Sequence, residues 1–115
     1  MNAELHTALS TAALRPLALA LDTEIQQDGA GNPVVRGLHG TIRPDGDGFT
    51  VTITTDTRKG ATRADGLLHG VARLCWRDVD GRTSRFILPS LPTAEQAEVL
   101  RRVIGLKPKG RRARA

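Results

Sequence analysis

Phe49-Thr50-Val51-Thr52-Ile53-Thr54-Thr55 is the stretch that decides the fold. Its strict alternation puts Phe49, Val51 and Ile53 on one face and Thr50, Thr52 and Thr54 on the other. That is the pattern of a strand with one face in a core and one in water. Upstream, Val34 to Arg43 reads as a strand, and Pro44-Asp45-Gly46-Asp47-Gly48 as the turn that joins the two. Downstream, Asp56 to Gly66 reads as a polar loop carrying Arg58, Lys59 and Arg63. Leu67 to Arg77 reads as a strand, Asp78-Val79-Asp80-Gly81 as a turn and Arg82 to Leu88 as a strand. Pro89 and Pro92 close the sheet region.

A short internal repeat accompanies these elements. Gly37-Leu38-His39-Gly40 recurs in part as Leu68-His69-Gly70. Each His is followed four residues later by an arginine (Arg43, Arg73) and then by an Asp-x-Asp-Gly turn. Shared turn chemistry accounts for the likeness, and the pattern points to consecutive hairpins in an antiparallel sheet.

Helices are expected at both ends. Leu5, Ala8, Leu9 and Ala12 recur at helical spacing within residues 3–13, with Glu4 in the first turn, where the helix dipole favours a carboxylate. Pro16 ends or kinks this element. Leu17 to Gln27 fits two patterns. Leu17, Leu19, Leu21, Thr23 and Ile25 alternate as on a strand, while Leu14, Leu17, Ala18, Leu21 and Ile25 form one helical stripe. The turn-like run from Gln27 to Asn32 tips the reading towards a strand. Near the C-terminus, Thr93 and Gln96 form a capping box. Ala97, Leu100, Val103 and Ile104 form the apolar stripe that follows, and Gly105 and Pro108 terminate it. The expected fold is α+β: an N-terminal helix, a four- to five-stranded antiparallel sheet of consecutive hairpins, and a C-terminal helix packed on one face.

The length of 115 residues suits one domain. We place that domain over residues 1–106 and a basic tail, expected to be disordered, over 107–115. The single cysteine, Cys75, excludes an internal disulfide and a cysteine-based zinc framework. No stretch has the form of a secretory signal or is long enough to span a bilayer, so a cytoplasmic location and no membrane partner are expected. The 14 Arg against 3 Lys suggest a GC-rich bacterial or phage genome.

Charge is distributed unevenly. Residues 101–115 contain Arg101, Arg102, Lys107, Lys109, Arg111, Arg112 and Arg114 and no acid, whereas residues 1–100 contain ten basic and twelve acidic side chains. The positive excess therefore resides in the tail, a composition suited to neutralising phosphates and releasing their counterions. Arg101 and Arg102 also oppose the negative end of the last helix.

On the expected sheet, Arg73, Arg77 and Arg85 join the threonines of 50–54 on a polar face that can donate to phosphate oxygens. Parity places Leu68, Ala72, Leu74 and Trp76 on the core face and His69, Val71, Arg73, Cys75 and Arg77 opposite. With Phe49, Phe86 and Trp76 all turned inward, the base-stacking rings of RRM- and OB-type single-strand binders are not expected.

His39, His69 and Cys75 lack the spacing of a metal site, and Asp45 to Gly48 lacks the later ligands of a calcium loop. No metal or cofactor is expected, and no serine, cysteine or carboxylate pair stands in a catalytic motif. The expected function is that of a small non-enzymatic regulatory accessory protein binding nucleic acid, DNA or RNA. The residues involved are Arg58, Lys59, Arg63, Arg73, Arg77, Arg85, Lys107, Lys109, Arg111, Arg112 and Arg114. The alternative is a protein-binding modulator or inhibitor from a phage or mobile element, acting through its folded body.

Overall fold

The alternating stretch becomes strand β4 (Gly48–Thr54), and the rest of the fold is arranged around it. The structure, a computed structural model, describes residues 2–107, without the side chains of residues 2–4. In chain order the other elements are α1 (Asn2–Ala20), β1 (Gln26–Gln27), β2 (Pro33–Arg36), β3 (Gly40–Asp45), α2 (Arg58–Leu68), β5 (Arg73–Arg77), β6 (Thr83–Leu88) and α3 (Ala94–Ile104). The six strands form one sheet of order β1-β2-β3-β4-β6-β5, with every neighbouring pair antiparallel. The α+β class, the two terminal helices and the hairpins are as expected. The sheet has six strands rather than four or five because 34–43 divides into two strands and the chain adds the short β1.

One face of the sheet carries the core. Ile42, Phe49, Val51, Ile53, Phe86 and Leu88 lie on it, clustered with Leu14, Leu17 and Leu21 of the α1 region, Ala64 and Leu68 of α2, and Ala97, Leu100, Val103 and Ile104 of α3. Each fully buried Leu, Val, Ile or Phe side chain contributes about 1.5–3 kcal/mol relative to an exposed one. With all three helices on this side, the threonine face of β4 is left open.

Three expectations about local structure are corrected. First, Leu17–Ala20 is the last turn of α1, not a strand. A strand would give Leu17, Leu19 and Leu21 a common face, but Leu17 and Leu21 are fully buried while Leu19 is 75% exposed. Burial follows the stripe Leu14, Leu17, Ala18, Leu21, and tertiary packing carries the helix through Pro16, which has no N–H to offer the Ala12 carbonyl. The earlier stripe of the same helix is not buried: Leu5 and Leu9 stay exposed.

Second, 58–68 is a helix rather than a loop. Thr57 caps it, its side chain accepting from the Gly60 N–H at 3.1 Å, and Ala61, Ala64 and Leu68 form its buried face. Two glycines, a threonine and a stripe made mostly of alanine conceal it from propensity and periodicity.

Third, the two Leu-His-Gly segments do different work. Residues 37–39 form the β2–β3 loop, which caps α3 with backbone donors: Leu38 N–H to Gly105 O at 3.2 Å and His39 N–H to Ile104 O at 2.9 Å. His69 and Gly70 instead end α2, with Gly70 at φ +83°. The second segment therefore marks a helix end and not a hairpin.

The α3 reading holds in detail. Thr93 and Gln96 make both bonds of the capping box, and Gly105 is left-handed at φ +81°. Arg101 and Arg102 stand in its last turn as expected, but Arg101 does more than offset the dipole. It is only 6% exposed, and its guanidinium donates to the carbonyls of Leu21 and Lys107 and, at 3.4 Å, of Asp22. The end of α1 is thereby tied to the exit of α3, and Arg101 is removed from the supply of free positive charge.

Candidate nucleic-acid interface

The register of the open face aligns its side chains in two cross-strand rows. In the first, Arg36 of β2 pairs with Thr41 of β3, Thr41 with Thr52 of β4, Thr52 with Arg85 of β6, and Arg85 with Trp76 of β5. In the second, Arg43 pairs with Thr50, Thr50 with Ile87, and Ile87 with Arg73. Side chains directly opposite on antiparallel strands share a face, so arginines stand at intervals with threonine hydroxyls between them. Neither row contains a carboxylate at a paired position, but two reach the face from its margin: Asp28 accepts from Arg43, and Asp45 accepts from Thr50 Oγ1 at 2.8 Å. At roughly 4.8 Å per strand spacing, the first row runs ~19 Å across the sheet.

Trp76 reaches this face through an irregularity. The β5–β6 register shifts between Leu74 and Trp76. The extra residue, Cys75, inverts the alternation that the sequence suggested. Trp76 lands on the open side, 45% exposed, with the Arg85 guanidinium 5.1 Å from its ring centroid, within cation–π range. Phe49 and Phe86 are buried as expected, but the expectation that Trp76 joins them is overturned. The same shift turns Arg77 to the helix side. There it pairs with Asp65 of α2 and donates to Ser84 Oγ at 2.9 Å.

The other residues singled out in the sequence fall in three places. Arg73 and Arg85 are on the open face. Arg58 braces the β5–β6 turn, donating to Asp80 O at 2.9 Å and to Val79 O at 3.4 Å. Lys59 and Arg63 are exposed on α2, in the helix layer. There Arg63, Arg102, His39, Thr54 and Asp56 line an open cleft of about 370 Å³. Lys107 follows α3 beside Arg36, Gly37 and Leu38, towards the β1–β2 edge and away from β5. Lys109, Arg111, Arg112 and Arg114, and the expectation that the tail is disordered, lie outside the described residues. Sequence reasoning missed Arg36, Arg43 and Trp76. The two arginines stand at strand parities matching the threonines of β4 and could have been found once the hairpin was divided, whereas the β5 irregularity left no comparable signal.

Two carboxylates hold the hairpin ends of this surface. Asp28 accepts from the backbone N–H of Asn32 and Ala30 and from Arg43 at 2.6 Å. The Asn32 bond, then the Arg43 bond, lowers its pKa below the usual carboxylate value. Asp78 is lowered likewise, first by the Thr83 N–H and then by those of Arg82 and Gly81. A carboxylate whose folded pKa is depressed adds stability above the unfolded carboxylate value of about 3.9 and loses it as pH falls through the folded value. Urea midpoints measured across this acid range should therefore fall less steeply for Asp78→Asn than for the unmodified protein. Equal slopes would remove Asp78 from the acid response.

Among the described residues no group of three His, Cys, Asp or Glu is placed to hold a metal ion, and no helix is long and apolar enough to cross a membrane. No family model, curated protein or solved structure matches the chain.

Proposed function

We propose that this protein binds nucleic acid across the open face of its sheet, with the basic C-terminal segment supplying further contacts to the phosphate backbone. The observation that carries this reading is the pair of cross-strand rows that bring Arg36, Arg73 and Arg85 onto one face with the hydroxyls of Thr41 and Thr52, while the carboxylates of that face are engaged at its margin, Asp28 by Arg43 and Asp45 by Thr50. Arg43 is partly neutralised by Asp28. Arg36, Arg73 and Arg85 have no acidic partner within salt-bridge distance among the described residues. Guanidinium groups and hydroxyls together donate to phosphate oxygens, and contacts of this kind position a backbone without reading its sequence.

The test is fluorescence anisotropy of labelled DNA and RNA oligonucleotides over a salt series. The unmodified protein is compared with one in which Lys109, Arg111, Arg112 and Arg114 are replaced by glutamine, and with one carrying Arg73→Gln and Arg85→Gln. Lys107, which lies beside Arg36 and is the last of the described residues, is retained in both. Affinity should fall steeply with salt, and each contact removed should make the slope shallower by about 0.7 for a single strand. Absence of binding near physiological salt, or binding indifferent to both sets of substitutions, contradicts the proposal.

A second reading, a protein partner held by the folded body, draws on the exposed stripe of Leu5 and Leu9 on α1. It gains ground if no nucleic acid binds.

A further inference from the structure

Resting on the nucleic-acid reading above, we infer that the ligand is single-stranded and that Trp76 and Arg85 together form the plate on which one of its unpaired bases stacks. Trp76 ends the first cross-strand row, and its nearest cross-strand neighbour is the guanidinium over its ring. The guanidinium stands over one face of the indole, Trp76 remains 45% exposed, and both groups stack on nucleobases. Arg73 stands on the same face, opposite Ile87, the residue two beyond Arg85 in β6. Thr52 of β4 and Thr41 of β3 continue the row away from the plate, so a base on Trp76 leaves its backbone running toward cations and hydroxyls.

The exposed ring of Trp76 suits a flat apolar partner, and Arg73 and Arg85 on the same face, which have no acidic partner among the described residues, suit an anionic one. A nucleotide with an unpaired base supplies both. Duplex DNA hides its base faces within the stack and presents only charge to this surface. β5 is one edge of the sheet and Lys107 lies towards the other, so a strand that touches both the plate and Lys107 must cross the sheet.

The chain makes the test direct. Trp76 is its one tryptophan and there is no tyrosine, so emission excited at the red edge reports this ring alone. The full chain is titrated with a short oligothymidylate, with a duplex of matched length and with inorganic polyphosphate, while anisotropy of labelled oligonucleotide follows binding independently. The single strand is expected to quench Trp76, and the duplex and polyphosphate to leave its emission nearly unchanged. Trp76→Ala is expected to weaken single-strand binding about 5- to 150-fold, with duplex binding little altered and Trp76→Phe recovering part of the loss.

If anisotropy shows binding but the duplex quenches as strongly as the single strand, or Trp76→Ala leaves the preference intact, the stacking inference falls and the backbone-binding reading stands. If no nucleic acid binds, both fall. If the emission shifts with protein concentration alone, the ring is covered by a second copy of the chain, and the inference falls for that reason.

Discussion

Arg101→Met should lower the stability of the fold by about 2–4 kcal/mol, read as a shift of the urea midpoint. Methionine fills the space of the aliphatic stem but cannot donate, so the carbonyls of Leu21, Asp22 and Lys107 lose a charged partner together. Hydrogen bonds to a charged group are worth about 1.5–3 kcal/mol, and a buried carbonyl left unmatched forfeits its hydration as well. The last turn of α3 also loses a cation at its negative end. Arg101→Lys should recover only part of the loss, because an ammonium lacks the planar fork that spans carbonyls from two different segments. If Arg101→Met is neutral, Arg101 does not join the two helix ends. In that case the seven cations of residues 101–115 can be treated as one group.

Gly37→Ala should cost about 3 kcal/mol, the upper end of overpacking penalties. A Cβ at this position would overlap the carbonyl of Ile104, a backbone group that cannot turn aside as a flexible side chain could. Relief requires the 37–39 loop to lift from α3, breaking the bonds from Leu38 to Gly105 and from His39 to Ile104. The variant should therefore show faster hydrogen exchange at the Leu38 and His39 amides in addition to its lower midpoint. A stability change of only a few tenths of a kcal/mol would mean that the loop and helix end are not in firm contact.

These positions show why parts of the fold were legible in the sequence and others were not. Residues 49–55 could be read because every second side chain is apolar and the whole strand follows one parity. The ends of α3 could be read because Thr93, Gln96 and Gly105 act through local backbone bonds. The choice between strand and helix at 17–21 depended on which leucines other segments cover, and the exposure of Leu19 is a tertiary fact. Helix α2 stayed hidden because its buried face consists mainly of Ala61 and Ala64, whose small side chains give little periodic signal.

The candidate site divides in the same way. Arg73, Arg85 and the β4 threonines were visible by parity. Parity places Arg77 on the open face, but the irregularity at Cys75 reverses the alternation, and the same reversal moves Trp76 from the expected core to the open surface. A single inserted residue in an edge strand thus turns a face of charge and hydroxyls into one with an exposed ring.

Binding of nucleic acid on the open face of the sheet, as proposed, would be seen residue by residue in amide chemical-shift mapping during titration with a single-stranded oligonucleotide. The largest changes should follow the two rows, at Thr52, Arg85, Trp76 and Arg73, with the amides of α2 and the 370 Å³ cleft at Arg63 and Arg102 little affected. Changes concentrated in the helix layer, or a silent sheet in the presence of bound oligonucleotide, would contradict it.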